Sequence, residues 1–123
     1  MNFFKRRAIL KNANHLMLTP VRFVGEEVDQ NNFVALLIPK FTNNLAKKYF
    51  QPRSKSPFIK LKLDELGSAS WLAINGEKKV SEIADELEKK FGEKIHPVEE
   101  RLTKFLSLLY NHKLILYKEI IGD

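Results

Sequence analysis

Apolar and polar positions along this chain change their period near residue 64, and the change separates strands from helices. Phe33-Val34-Ala35-Leu36-Leu37-Ile38 is an unbroken β-rich run closed by Pro39, and Asp29-Gln30-Asn31-Asn32 before it is a cluster of turn formers. Upstream, Pro20 breaks any helix and Val21-Arg22-Phe23-Val24 opens an extended segment. Two extended runs joined by turn residues predict an antiparallel hairpin. Phe58-Ile59-Lys60-Leu61-Lys62-Leu63 then alternates, with Ile59, Leu61 and Leu63 to one side and Lys60 and Lys62 to the other. That alternation predicts a half-buried third strand.

From Asp64 onward the spacing is helical. Asp64 is a good N-cap for a first helix that runs to Ile74 and stops at Asn75-Gly76. Ser81 is the expected cap of a second helix, whose apolar stripe is Val80, Ile83, Ala84, Leu87 and Phe91 and whose end is Gly92. Pro97 suits the first position of a third helix, where its missing N–H costs nothing. Val98, Leu102, Phe105, Leu106 and Leu109 form that helix's expected buried stripe, before an apolar tail, Leu114-Ile115-Leu116. The predicted fold is α+β, a winged helix-turn-helix in which a three-stranded antiparallel sheet is followed by three helices. Its expected span is residues 20–119. Residues 1–19 are a basic-then-apolar lead-in, in which Ile9, Leu10, Ala13, Leu16 and Met17 recur at near-helical spacing. Asn44 to Phe50 allows a short helical turn, and Pro52 to Pro57 reads as a loop.

Composition removes several function classes. The chain has 123 residues and no cysteine, which excludes disulfides, thiolate catalysis and cysteine-held metal. No apolar run reaches the ~18–20 residues of a membrane span, and no apolar core follows Lys5-Arg6-Arg7 as a secretory signal requires. A cytoplasmic location is the resulting expectation. The net charge of +6 conceals an asymmetry: residues 1–62 carry 12 Lys/Arg against 3 Asp/Glu, and residues 63–123 carry 9 against 12. The helical half, which would enter a DNA groove, is the acidic half.

Catalytic chemistry finds little support. His15, His96 and His112 are far apart, and no two potential metal ligands share an i, i+4 face. Ser68 and Ser70 lack a nucleophile-elbow pattern, and there is no glycine-rich phosphate loop. The expectation is a non-enzyme without cofactor or metal. A DNA-binding regulator is the alternative suggested by the helix pattern and a pI near 9.6. Against it, the third helix leads with Glu99 and Glu100, which phosphates repel. A plain protein–protein adaptor is a further alternative. Peptide binding fits better, because the third strand of a meander lies at a sheet edge, where an extended peptide can add itself. Lysines on such a strand also guard against aggregation. A second face of the third helix, Arg101, Lys104, Leu108 and His112, would offer an apolar contact with a basic rim if Leu108 is exposed.

The helical half resembles the PqqD-like family, the peptide chaperones of pyrroloquinoline quinone biosynthesis that share the RiPP recognition element. The residues that carry the resemblance are Leu63-Asp64-Glu65-Leu66-Gly67-Ser68-Ala69-Ser70-Trp71-Leu72, Asn75-Gly76, Val80-Ser81-Glu82-Ile83, Phe105-Leu106, Leu109 and Leu114-Ile115. Pro20-Val21-Arg22 and Leu37-Ile38-Pro39-Lys40-Phe41 resemble the strand region of longer members. The resemblance implies that a precursor peptide's leader lies between third strand and third helix and is presented to a radical S-adenosylmethionine (SAM) enzyme. Carried over, the peptide-binding residues are Phe58, Ile59, Lys60, Leu61 and Lys62 on the strand and Arg101, Lys104, Phe105 and Leu108 on the helix. The chain departs from the pattern at Lys113, where family members often have glycine, so the helix is expected to end through Asn111 or His112. The 42–57 segment is also longer and more basic than in the smallest members.

Overall fold

The computed structural model describes residues 4–6, 14–39 and 57–120. The expected helical spacing of Ile9, Leu10 and Ala13, the turn at 44–50 and nearly all of the 52–57 loop lie outside them. The fold is α+β, and among the described residues it has a three-stranded antiparallel sheet, a two-stranded pairing and the three α-helices Glu65–Ala73, Val80–Phe91 and Val98–Asn111. In chain order its elements are β1 (Pro20–Arg22), β2 (Gly25–Val28), β3 (Val34–Pro39), β4 (Phe58–Lys62), α1 (Glu65–Ala73), α2 (Val80–Phe91), α3 (Val98–Asn111) and β5 (Ile115–Tyr117). The chain divides into two compact units. Val24–Ser68 forms a strand unit, and Met1–Phe23 with Ala69–Asp123 forms a helical unit.

The strand unit is the sheet β2-β3-β4. Its hairpin turn is built by Asp29, whose carboxylate accepts the N–H groups of Asn31 (2.8 Å) and Phe33 (3.0 Å). Asn32 N–H reaches Asp29 O, and Asn32 itself is left-handed at φ 65°. This is a type I turn closed by a left-handed residue, a standard hairpin loop. The predicted hairpin therefore forms, but its first strand is Gly25–Val28. The extended segment that opens at Val21 is divided, and β1 pairs elsewhere, with β5. Gly25-Glu26-Glu27 has weak strand propensity, so the pairing partner rather than the residues decides the assignment there. At the sheet's far end Ser68 Oγ accepts Val34 N–H at 2.8 Å, and Asp64 Oδ1 accepts Gly67 N–H at 2.7 Å as the predicted N-cap.

In the helical unit, β1 and β5 pair antiparallel with Pro20 opposite Tyr117, Val21 opposite Leu116 and Arg22 opposite Ile115. The core holds Trp71, Ile74, Val80, Ile83, Leu106, Tyr110, Ile115 and Tyr117, all essentially inaccessible. The predicted stripe of α2 is buried except for Phe91, which is half-buried, and Gly92 ends the helix with its N–H on Glu88 O. Ser81 is not the cap of α2. The helix begins at Val80 with Lys79 as its N-cap, two residues earlier than a Ser81 cap implies; Val80 N–H is taken by Leu18 O at 2.9 Å, and Glu82 Oε1 accepts Lys79 N–H at 3.1 Å. A distant carbonyl thus does what the serine was expected to do. Pro97 is one place earlier than predicted: it is the N-cap, and its carbonyl accepts Arg101 N–H. α3 ends at Asn111, yet Lys113 takes up the left-handed position at φ 62°. Lys113 N–H binds Tyr110 O and Leu114 N–H binds Leu109 O, the paired bonds of a Schellman ending.

Side chains close the loose ends of this unit. Arg6 is buried, with Nε donating to Tyr110 O, Nη2 donating to Ile115 O, and its guanidinium 4.0 Å from the Tyr110 ring centre. Thr19 donates its N–H and its Oγ1–H to the two carboxylate oxygens of Glu119, each at 2.7 Å. His15 Nε2 lies 2.6 Å from Tyr117 Oη, and burial holds its pKa below the ordinary value. Burial, with Tyr110 nearby, pushes the Tyr117 phenol well up, so it keeps its proton.

Candidate functional site

The sheet ends at β4, whose one strand neighbour among the described residues is β3. The register is Phe58 opposite Pro39, Ile59 opposite Ile38, Lys60 opposite Leu37, Leu61 opposite Leu36 and Lys62 opposite Ala35. Just past this ladder, Leu63 N–H donates to Val34 O at 2.8 Å. Antiparallel ladders alternate between bonded and non-bonded pairs. Continuing that phase makes Leu61 with Leu36, and Ile59 with Ile38, the bonded pairs. The N–H and C=O of Lys60 and Lys62 then point away from β3, toward the sheet edge. Pro39 fits this phase, since it lacks an N–H and stands at a non-bonded position.

Paired residues share a face, so two surfaces run along β4. One carries Ile59 and Leu61 beside Ile38 and the fully buried Leu36. The other carries Lys60 and Lys62 beside Leu37 and Ala35. The predicted half-buried strand is more open than its alternation implies: Leu61 is 42% exposed and Phe58 39%. Among the described residues β4 has β3 as its one strand neighbour. Lys60 Nζ forms an ion pair at 3.0 Å with Glu27 Oε2 of β2, reaching across β3. With both side chains about half-exposed, this pair contributes little to stability. Glu27 was not a predicted site residue. Only the hairpin register, which sets β2 on the far side of β3, brings it into play.

The other predicted residues are in the helical unit, on α3. Arg101, Lys104 and Leu108 lie exposed along the helix, Leu108 at 56%, while Phe105 is half-buried. An exposed leucine in a helix whose other apolar residues are buried, or half-buried in the case of Phe105, is the feature on which the predicted apolar contact depends. Arg101 Nη1 donates to Lys94 O at 2.9 Å, which fixes the guanidinium near the preceding turn. The predicted residues are thus gathered into two sets, one on β4 and one on α3, each within its own unit.

None of the three histidines meets another. His15 faces Tyr117, His96 pairs with Glu88 at 2.9 Å and His112 caps α3. A shallow cavity of about 290 Å³ is lined by Val21, Arg22, Ile74, Asn75 and Gly76. Arg22 Nη2 donates there to the carbonyls of Trp71 and Leu72, so the cation serves the end of α1. Among the described residues no helix is long and apolar enough to cross a membrane.

β4 is one of the two edges of the three-stranded sheet, and among the described residues it carries Lys60 and Lys62 with their main-chain groups turned from β3. Residues 59–115 match the family model described as Coenzyme PQQ synthesis protein D (PqqD). The match begins within β4, covers all three helices and ends at the first residue of β5. No curated protein and no solved structure matched the chain.

Proposed function

We propose that this protein captures the leader of a precursor peptide as an added strand beside β4 and presents it to a radical SAM modifying enzyme, itself catalysing nothing. PqqD-family domains are, in general, non-catalytic peptide-binding chaperones. The observation that carries the strand-addition mode is the position of β4 at the end of its sheet, with the main-chain groups of Lys60 and Lys62 turned from β3. An extended guest finds donors and acceptors there at the two-residue spacing its own backbone repeats. The exposed row Arg101, Lys104 and Leu108, with Phe105 beneath it, enters this reading through the family resemblance, and its share in binding is measured by substituting α3 alone.

Lys60→Pro tests the mode. It removes an outward N–H while leaving the inward bonds of Ile59 and Leu61 untouched. Loss of one ladder bond and the clash of the ring predict at least about tenfold weaker binding of a dye-labelled leader peptide, read by fluorescence anisotropy. Lys60→Ala, which keeps the N–H, should bind within a few-fold of the parent. A folded Lys60→Pro protein with undiminished affinity would exclude strand addition at β4.

A further inference from the structure

We infer that the guest of β4 is an acidic peptide of alternating pattern, with carboxylates at every second position and apolar residues between them. This rests on the strand-addition reading and specifies the ligand for it. Lys60 and Lys62 project from one face of β4, and Ile59 and Leu61 from the other. A strand laid alongside must alternate in the same way, because its successive side chains fall on opposite faces. Residues beside Lys60 and Lys62 are favoured when they carry negative charge, and residues beside Ile59 and Leu61 when they are apolar. This holds for either direction of the guest, since the period is two in both.

Three observations support negative charge. Lys60 already holds a carboxylate on this face, that of Glu27 at 3.0 Å. The two lysines stand two residues apart on β4 and both are exposed. In the sequence, residues 40–62 contain seven Lys/Arg and no Asp or Glu, so the stretch leading into β4 has no internal carboxylate to neutralise them. Glu27 then acts as a resident competitor that an acidic guest displaces from Lys60. It sets a threshold: a guest with one carboxylate exchanges one ion pair for another, and a guest with two gains a new pair at Lys62.

The test uses the full chain and three dye-labelled heptapeptides, in which valine alternates with glutamate, glutamine or lysine. At low salt the glutamate peptide should bind about tenfold tighter than the glutamine peptide, from roughly two- to fivefold per lysine. The lysine peptide should bind weakest. In the Lys60→Gln/Lys62→Gln double variant the glutamate and glutamine peptides should bind equally. Glu27→Gln should strengthen glutamate-peptide binding by up to about twofold and leave the glutamine peptide alone. Equal binding of glutamate and glutamine peptides to the parent chain overturns the acidic preference but leaves strand addition standing. A preference that survives the double variant assigns the charge recognition elsewhere and also overturns it. Binding of none of the three overturns strand addition and the inference together. Competition between the glutamate peptide and self-association, seen by sedimentation, would make a second copy's Glu26-Glu27 strand the occupant instead.

Discussion

The helical unit and the strand unit treat their chain ends and edges in opposite ways. In the helical unit, Arg6 caps carbonyls of Tyr110 and Ile115, Glu119 holds both donors of Thr19, and the short strands β1 and β5 pair with each other. In the strand unit, β4 has β3 as its one strand neighbour among the described residues, and the main-chain groups of Lys60 and Lys62 turn away from β3, with Leu61 and Phe58 exposed. Strand edges that stay open without aggregating are guarded by charge, and Lys60 and Lys62 supply it. Groups that are satisfied internally hold the fold, and under the proposed strand-addition reading the main-chain groups turned outward at β4 are the ones a peptide guest would satisfy.

The sharpest way to break that comparison is to truncate one large residue in each unit. Trp71 is fully buried, and Trp71→Ala should cost about 3–5 kcal/mol in urea unfolding through lost transfer energy and the cavity left behind. Leu61, 42% exposed, should cost under about 1 kcal/mol as Leu61→Ala while weakening peptide binding. Equal losses of stability at the two positions would mean that β4 is as much a part of the fold's support as the helical core.

A smaller effect is expected at the Thr19–Glu119 clasp. Thr19→Val removes one charge-assisted hydrogen bond from an exposed carboxylate, a loss of about 1 kcal/mol at pH 7. Partial desolvation pushes the Glu119 carboxyl up, but the hydroxyl and amide of Thr19 pull it further down, so it lies below its ordinary 4.5. A carboxylate with a depressed folded-state pKa stabilises the fold fully above the unfolded value and ceases to do so as pH falls through the folded one. The cost of Thr19→Val should therefore fade in acid, below about pH 4.5, as followed by thermal melting at several pH values. A cost independent of pH would assign it to lost packing alone.

What the sequence revealed follows from which features are local. The extended run Phe58–Lys62, the Asp64 cap, the stops at Gly76 and Gly92 and, apart from the half-buried Phe91 and Phe105, the buried stripes of α2 and α3 are set by residues within a turn or two of each other, and they stand as predicted. The departures arise from long-range partners. Leu18 O takes the Val80 N–H and makes Ser81 unnecessary as a cap, and the C-terminal strand draws Pro20–Arg22 out of the hairpin. The same holds for function. The exposure of Leu108 could be read from its place off the buried stripe, and the edge position of β4 from its place last in a meander. Glu27 could not be found this way, because its meeting with Lys60 depends on the register of two strand pairs at once. Nor could local pattern have predicted that Arg6 is buried, since a basic lead-in ordinarily keeps its charges in water.

The finest contrast between the units is one of backbone strain, because each holds a non-glycine residue in the left-handed region. In the strand unit it is Asn32 at φ 65°, and in the helical unit Lys113 at φ 62°. Asparagine enters that region at small cost, since its short amide bonds locally, whereas a long side chain on a left-handed residue crowds the following carbonyl by about 1 kcal/mol. The Schellman bonds of Lys113 and Leu114, and the burial of Leu114 and Leu109 beside them, hold the lysine there regardless. Lys113→Gly should thus stabilise the protein by up to about 1 kcal/mol, reduced somewhat by the greater freedom glycine gives the unfolded chain. Asn32→Gly should change stability by only a few tenths of a kcal/mol. Urea midpoints of the two variants measure both. A larger gain at Asn32 than at Lys113 would reverse the assignment of strain, and a loss at Lys113 would show that the lysine side chain contributes more there than its backbone gives up.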